Sequence, residues 1–235
     1  MKKNIGIWIC PLLISGVLLA LSNSCKKSND PNNNPPPVIV HGLDANDIDG
    51  NVYHTVIIGT QTWMVENLKT TKYNDGISIP YVTDNGAWIS LTTPAYCWYN
   101  NEASYKTQYG SLYNWYAVNT GKLAPTGWHV PSNAEWTTLT NYLGGENLAG
   151  FKIKESGTTH WKSPNEGATN ETGFTALPGG YRNAYGCEDM GEICYFWSTQ
   201  SNTYFMFYDY GGYVSLWSPW VDANCIGLSV RCIKD

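Results

Sequence analysis

The sequence predicts an α+β fold in which short helices pack on antiparallel sheets and long loops connect these elements. Apolar residues recur at helical spacing in the middle of the chain, whereas glycine and aromatic residues dominate the C-terminal part and favour strands. Helices and strands segregated in this way are typical of α+β proteins. A chain of 235 residues with 43% hydrophobic residues can bury one core, so we expect one domain at residues 44–235.

The N-terminal residues predict an export signal. Lys2 and Lys3 precede an apolar run over residues 5–21, and a Ser-Asn-Ser spacer then leads to Cys25. This layout indicates a signal peptide at residues 1–24, and a cysteine in this position resembles the lipidation site of bacterial lipoproteins. Ordinary signal cleavage and an uncleaved membrane anchor are the alternatives. We expect lipidation of Cys25 and attachment to the outer membrane, with the domain facing the cell surface.

Residues 25–43 predict a tether between the lipidated cysteine and the domain. The segment is rich in asparagine and proline and contains three consecutive prolines. Because it has almost nothing to bury and proline holds the backbone extended, it is expected to lift the domain off the membrane.

Residues 41–68 predict two strands that alternate with turns. Asp49-Gly50 precedes an apolar run, and Gly59-Thr60 follows it. Both dipeptides are typical of tight turns, so the segment is expected to fold as turn, strand, turn and strand.

Three short helices are predicted in the middle of the chain. Residues 111–118 and 147–154 have apolar side chains at helical spacing. The third helix begins at Ser132, where Glu135 completes the Ser-x-x-Glu pattern of a capping box ahead of Trp136 and later apolar residues. Capping explains Glu135 without an acid-base role.

The C-terminal part predicts several strands. They are rich in aromatic and β-branched residues, and the Gly211-Gly212 pair between two of them indicates a hairpin. The predicted strands are residues 174–182, 195–199, 203–210, 213–217 and 227–233.

The sequence favours neither a nucleic-acid partner nor a metal or cofactor site. Nucleic-acid binding needs a basic surface, and the net charge is −5 at pH 7. Asp44, Asp47 and Asp49 lack the glutamate that an EF-hand needs at its twelfth position, so turn chemistry explains them better. His129 has no histidine or cysteine at metal-binding spacing.

Cysteine number predicts disulfides in an oxidising compartment. Two disulfides and one free thiol are compatible with the five cysteines that follow Cys25, and their connectivity does not follow from spacing. Cys187 and Cys194 enclose a short loop and are the first candidate pair. The five are Cys97, Cys187, Cys194, Cys225 and Cys232.

The order of motifs resembles the Fibrobacter succinogenes major paralogous domain family, which occurs in exported proteins of that bacterium and of Bacteroidetes. The resemblance covers roughly residues 44–235. Family members often carry a cysteine where this chain has Ala124, so a bond from that position to Cys232 would be absent here. The matching segments are DIDGNVYHTVIIGTQTWMVENLKTTKYNDG (47–76), YCWYNN (96–101), YGSLYNWYAV (109–118), LAPTGWHVPSNAEW (123–136), GFTALPGGYR (173–182), FWST (196–199) and GLSVRC (227–232).

The family resemblance brings no established activity. Its helix-start segment and closing strand are similar to those of the formylglycine-generating-enzyme superfamily, which implies a C-type-lectin-like fold. Those enzymes oxidise substrate thiols with particular cysteines, and no cysteine of this sequence can be matched to them by motif. The resemblance therefore implies the fold without the catalysis.

The leading functional hypothesis is an envelope-anchored, non-catalytic binding domain for a glycan or another surface protein. Ten of the eleven tryptophans and all seventeen tyrosines lie beyond the signal, and rings that stay exposed could stack on sugars or fill a partner's pockets. The alternative is that most of these rings build the core.

Residues 161–173 are the candidate ligand-binding rim. An aromatic face beside amides and carboxylates suits carbohydrate hydroxyls, although a solvated loop explains the same composition. The triplets with which calcium-dependent lectins hold sugars are absent. The candidate binding residues are Trp161, Asn165, Glu166, Asn170 and Glu171.

Two other functions remain open. A structural module would assemble with envelope proteins through aromatic edges. A secreted enzyme, glycosidase-like or formylglycine-generating-enzyme-like, is the first alternative, ahead of the structural module, and a glycosidase needs two carboxyl groups that flank a cleft. The available carboxyl groups are those of Glu102, Glu155, Glu166, Glu171 and Asp209.

Overall fold

A computed structural model describes most of the predicted domain. No helix among its described residues is long and apolar enough to cross a membrane. Cys225, Asp209, the predicted signal peptide, Cys25 and most of the tether lie outside these residues, so export and lipidation stay predictions. The described residues are 37–200, 204–208, 211–217 and 226–235.

The strands are short, and none of those described exceeds five residues. In chain order they are β1 (Val40–His41), β2 (Ala45–Asn46), β3 (Val52–Tyr53), β4 (Thr55–Ile58), β5 (Gln61–Met64), β6 (Tyr96–Cys97), β7 (Leu112–Asn114), β8 (Trp128–His129), β9 (Gly179–Arg182), β10 (Cys187–Met190), β11 (Ile193–Trp197), β12 (Tyr204–Tyr208), β13 (Val214–Trp217), β14 (Gly227–Leu228) and β15 (Ile233–Lys234).

The helices lie in the middle of the chain, as the sequence predicts. They are α1 (Asn85–Ile89), α2 (Ala103–Tyr109), α3 (Trp115–Val118), α4 (Asn133–Tyr142) and α5 (Ala149–Ile153), with a 3₁₀ turn at Tyr99–Asn101.

Helix α4 begins with the predicted capping box. The Ser132 hydroxyl accepts a hydrogen bond from the Glu135 amide at 3.2 Å, and Glu135 Oε2 accepts one from the Ser132 amide at 2.7 Å. The two side chains therefore satisfy amides that a helix start leaves without intrahelical partners.

Five strands form an antiparallel sheet in the order β1-β4-β5-β15-β8. β4 and β5 form the predicted hairpin, in which Ile58 pairs with Gln61 across a two-residue turn. The C-terminal strand β15 lies between β5 and β8, because Ile233 pairs with both Trp63 and His129. The end of the chain is thus tied to strands from two distant parts of the sequence.

The second sheet has eight strands and contains the C-terminal hairpin. Its order is β13-β12-β11-β9-β14-β7-β6, with β10 paired to β9. All its pairs are antiparallel except β9 with β11, which meet through one parallel pair. β2 and β3 form a separate two-stranded sheet. Short helices with antiparallel sheets confirm the α+β prediction, whereas a C-type-lectin-like arrangement stays a prediction.

Three predicted elements differ from the structure. Residues 111–118 form β7 followed by α3 because the Asn114 side chain accepts hydrogen bonds from the amides of Ala95 and Ala117, both at 3.0 Å. Residues 227–233 supply β14 to one sheet and β15 to the other. Only the end of the predicted strand at residues 174–182 is extended, as β9.

Aromatic residues build much of the core. The rings of Trp63 and Trp136 are 4.7 Å apart, and Phe174 and Phe196 pack against them. Because these rings are buried, they stabilise the fold and are not available on the surface. For six tryptophans this confirms the alternative prediction that the aromatic rings build the core. These six are Trp63, Trp88, Trp115, Trp136, Trp161 and Trp197.

The guanidinium of Arg231 is completely buried between two aromatic rings. Its Nε and Nη2 donate to Asn67 Oδ1 at 3.1 and 2.7 Å, and its Nη1 donates to the carbonyl oxygens of Met64 and Phe174 at 3.1 and 2.6 Å. The cation lies 4.5 Å from the ring centre of Phe174 and 5.2 Å from that of Phe196. One side chain therefore holds three separate segments together.

The stretch GWHVPSNAEW places His129 between two carboxylates. Its ring nitrogens lie 2.7 Å from Asp235 Oδ1 and 2.7 Å from Glu135 Oε1. Burial alone would lower the pKa of His129, but the hydrogen bonds with Asp235 and Glu135 outweigh burial and raise it. The histidine thus links the last residue to the start of α4, which is a structural role.

We expect Arg231→Met to destabilise the fold strongly. The substitution leaves the acceptors of the guanidinium without donors, and each buried group left unsatisfied costs about 1–3 kcal/mol. The free energy of unfolding in guanidinium chloride should fall by at least about 3 kcal/mol. Lys234→Met, which removes an exposed cation, should stay within about 0.5 kcal/mol of the wild type. A loss below about 1 kcal/mol for Arg231→Met would contradict this assignment.

We expect the stabilising effect of His129 to depend on pH. Because its pKa is raised in the folded protein, the stabilisation is complete below the unfolded-state pKa of about 6.5 and is lost as the pH rises through the higher folded-state pKa. Chemical unfolding of the wild type and His129→Gln between pH 6 and 9 measures this effect. The stability difference should shrink toward alkaline pH, and a constant difference would refute the proposed ion pairs.

Candidate functional site

Trp161, the aromatic residue of the predicted binding rim, is part of the core. Its side chain is 1% exposed, and its Nε1 donates to the Ala176 carbonyl at 3.0 Å. The Lys154 ammonium lies 5.2 Å from the ring centre. The ring has no free face for a ligand, so the prediction of stacking by Trp161 is wrong.

The two asparagines of that rim stabilise their own loop. Asn165 is buried and donates through Nδ2 to the carbonyls of Glu155 and Gly157 at 2.8 and 2.6 Å. Asn170 Nδ2 donates to Thr175 Oγ1, and Asn170 Oδ1 accepts from the Thr175 amide, each at 2.9 Å. Both asparagines have positive φ, a conformation that asparagine tolerates well. Their amides build the loop rather than a binding surface.

The predicted acidic residues have different surroundings. Glu171 pairs with Lys152 at 3.3 Å, and Glu155 Oε1 lies 2.7 Å from His160 Nδ1. Glu166 is exposed on the 161–173 loop. These contacts give the carboxylates local structural partners, and they supply no support for a paired catalytic centre in that loop.

A polar cleft of about 520 Å³ lies elsewhere, where the start of α1 and the 3₁₀ turn approach the β9–β10 hairpin. Glu102, the remaining described carboxylate of the predicted set, lines this cleft. We name it the Tyr185 cleft. It is lined by Asn85, Asn100, Asn101, Glu102, Arg182, Tyr185, Gly186 and Cys187.

Arg182 forms the floor of the Tyr185 cleft. Its side chain is buried, and its guanidinium lies 4.5 Å from the ring centre of Trp88. Nη1 donates to Asn101 Oδ1 at 3.1 Å and Nη2 to Asn85 Oδ1 at 2.9 Å. Nη2 also donates to the carbonyl of Thr83 at 2.8 Å. The arginine therefore fixes one asparagine at the start of α1 and one in the 3₁₀ turn, and both are far from Arg182 in sequence.

Tyr185 is the most exposed aromatic residue at this site, with 89% of its surface accessible. It sits in the β9–β10 turn, where the Asn183 side chain accepts hydrogen bonds from the amides of Tyr185 and Gly186 at 2.7 and 3.1 Å. The Asn85 amide donates to the Tyr185 carbonyl at 3.2 Å. The backbone is held at several points while the ring remains open to solvent.

Two thiols meet at the edge of the same cleft. Cys97 is buried, and the half-buried Cys187 packs against the small cluster that contains Cys97. Burial raises the pKa of Cys97 well above its usual value. The Cys97 hydrogen bond, aided by the Asn100 amide and the Arg182 charge, overcomes partial burial and lowers the pKa of Cys187 to about 7.

The predicted Cys187–Cys194 disulfide is absent, and both residues are free cysteines. Cys187 packs against the small cluster that contains Cys97, whereas Cys194 is buried in a different cluster with Phe196. Short spacing predicted the wrong neighbour because the two side chains enter different parts of the core. Cys232 is also a buried free thiol, in the same cluster as Ala124.

The cleft residues were missed although their motifs were visible. YCWYNN supplies Cys97, Asn100 and Asn101, and the segment after GGYR supplies Tyr185 and Cys187. Positive φ at Asn100 and Asn101, 49° and 59°, marks an unusual backbone turn. Only the tertiary structure places this turn beside the hairpin.

A second groove of about 290 Å³ follows the edge strand β1, and its lining also includes Lys152 and Glu171. Several of its aliphatic and aromatic side chains are exposed, which is uncommon for a contiguous surface without a function. The exposed residues are Val38, Ile39, Val40, Ile57 and Tyr142.

Comparisons with known proteins give the family of the chain. No curated protein and no solved structure matches it significantly. The model of the Fibrobacter succinogenes major domain matches residues 56–234, whereas the similarity to the formylglycine-generating-enzyme superfamily stays a prediction. The match confirms the resemblance predicted from the motifs, and the chain belongs to the Fibrobacter succinogenes major domain family.

Proposed function

We propose that this domain binds a glycan in the Tyr185 cleft, as part of a protein anchored at the cell envelope. The observation that carries the proposal is the open ring of Tyr185 beside the amides and carboxylate of a polar cleft. The ring can stack on the apolar face of a sugar. Asn100 and Glu102, both exposed, can exchange hydrogen bonds with its hydroxyl groups.

Preorganisation supports this site over the 161–173 loop. Arg182 holds Asn85 and Asn101 from beneath the cleft, and the side chains of Asn183 and Asn85 fix the Tyr185 backbone. A rigid site loses less conformational entropy when it takes up a ligand. Binding energy therefore does not have to order the loops.

The lining of the cleft favours binding over hydrolysis. A glycosidase needs two carboxyl groups on opposite sides of the scissile bond. Glu102 is the one carboxylate among the described residues that line the Tyr185 cleft. The non-catalytic function is therefore the better supported proposal.

Surface assembly is a second candidate, supported by the exposed apolar side chains on and beside β1. An edge strand has unpaired backbone groups that can form hydrogen bonds with another strand. Val40 on β1 and Val38 just before it are exposed, and such pairing would bury their side chains. The simplest partner is a second copy of this chain, joined edge to edge.

We expect Tyr185→Ala to weaken glycan binding at least tenfold. A glycan array first identifies the ligand class, and isothermal titration calorimetry then compares the wild type, Tyr185→Ala and Tyr213→Ala. Tyr213 is an exposed tyrosine that does not line the cleft, so its variant should bind like the wild type. The absence of any saturable glycan binding would refute the proposal, and equal affinities of all three proteins would remove this cleft from it.

We expect Val40→Lys to abolish self-association if the β1 edge joins two copies. A lysine on an edge strand opposes pairing with another strand. Sedimentation velocity over a concentration series measures the dimer fraction of the wild type and the variant. Lys69→Ala, elsewhere on the surface, should leave that fraction unchanged, and a wild type that stays monomeric throughout would refute the assembly candidate.

A further inference from the structure

We propose that Cys97 and Cys187 form a redox-active dithiol that exchanges with small-molecule disulfides entering the Tyr185 cleft. This chemistry uses the same cleft as the proposed glycan site, but it needs no glycan. The proposal rests on the packing of Cys187 against the cluster that contains Cys97, on the Asn100 amide that donates to Cys187 Sγ, and on the different exposure of the two cysteines.

Cys187 is placed to react first. It lines the cleft and is half-buried, so a small disulfide can reach its sulfur. The Asn100 amide donates to Cys187 Sγ at 3.3 Å, and a backbone donor favours the thiolate, which is the reactive form. Cys97 lies behind it without access to solvent and is placed to act second.

Arg182 makes thiolate chemistry more favourable here than binding of a metal cation. Its buried guanidinium favours the thiolate form of both cysteines, but burial outweighs this effect at Cys97, whose pKa is raised. Arg182 Nε is buried without a hydrogen-bond partner among the described residues. A nearby positive charge stabilises a thiolate and repels a cation.

The exchange proceeds in two balanced steps. The Cys187 thiolate attacks one sulfur of the external disulfide, forms a mixed disulfide and expels one thiolate, which takes up the proton that Cys187 lost. Cys97 then loses its proton and attacks the Cys187 sulfur, and the second external thiol leaves. Two electrons pass from the protein to the external disulfide, which becomes two thiols, and the protein gains the Cys97–Cys187 bond.

The other described cysteines are poor partners for this reaction. Cys194 and Cys232 are completely buried, and burial raises the pKa of each thiol. A buried thiol in apolar surroundings remains protonated and unreactive. They therefore serve as internal references in an alkylation experiment.

The test equilibrates the purified full-length protein in buffers of reduced and oxidised glutathione, blocks free thiols with a maleimide, and maps the peptides by mass spectrometry. We expect Cys97 and Cys187 to lose reactivity together as the buffer becomes oxidising, and a linked Cys97–Cys187 peptide to form. Brief alkylation of the reduced protein at pH 7 should modify Cys187 about tenfold faster than an unperturbed cysteine. Persistence of both thiols in oxidised glutathione would overturn the proposal.

Single substitutions separate the two steps. Cys97→Ser should trap Cys187 as a mixed disulfide with glutathione, whereas Cys187→Ser should leave Cys97 as a free thiol. Cys225→Ser is the matched control and should still form the Cys97–Cys187 bond. A linkage of Cys187 to Cys225 in the wild type, or loss of the exchange in Cys225→Ser, would overturn the proposed pair. The wild-type peptide map decides the question even if the Cys97 variant does not fold.

Discussion

The burial of the Arg231 cation constrains most of this fold. A guanidinium removed from water is unfavourable unless nearly all its donors find acceptors, and here those acceptors come from the end of β5, from Asn67 and from the loop that starts at Phe174. The segment that carries Arg231 must therefore lie between two regions that are widely separated in sequence, residues 64–67 and the loop that starts at Phe174. The two phenylalanine rings beside the cation complete this arrangement with contacts that favour a planar charge.

Arg182 is a second buried arginine that packs on an aromatic ring and hydrogen-bonds to distant segments, here next to a surface cleft. It is buried over Trp88, and its donors fix Asn85 and Asn101 at the Tyr185 cleft. The difference lies in what surrounds it, because one side of the Arg182 environment opens toward solvent and toward Cys187. Arg182 thus both holds the cleft residues in place and acts electrostatically on the thiols. The proposed glycan site and the proposed dithiol share its positive charge, but separate experiments test them.

The failed predictions have a common physical origin. Trp161 stands among polar residues in the sequence, and local composition predicted a rim, but its indole fills the core and donates to Ala176. Likewise, short spacing joined Cys187 to Cys194, whereas the neighbour of Cys187 is Cys97. Sequence spacing limits which residues can meet through a short loop, but it does not show which side of a strand each side chain occupies or which distant segment packs there.

Local interactions account for what the sequence by itself determined. The capping box of Ser132 and Glu135 and the β4–β5 hairpin depend on residues that are close along the chain, and the ordered motifs identified the family. The tertiary structure alone decided that six of the tryptophans are buried, that the C-terminal segment divides between two sheets, and that Tyr185, Arg182 and two cysteines lie around one cleft. These features depend on packing between distant segments, in which burial and hydrogen-bond satisfaction of the whole core select one arrangement among many that local preferences allow.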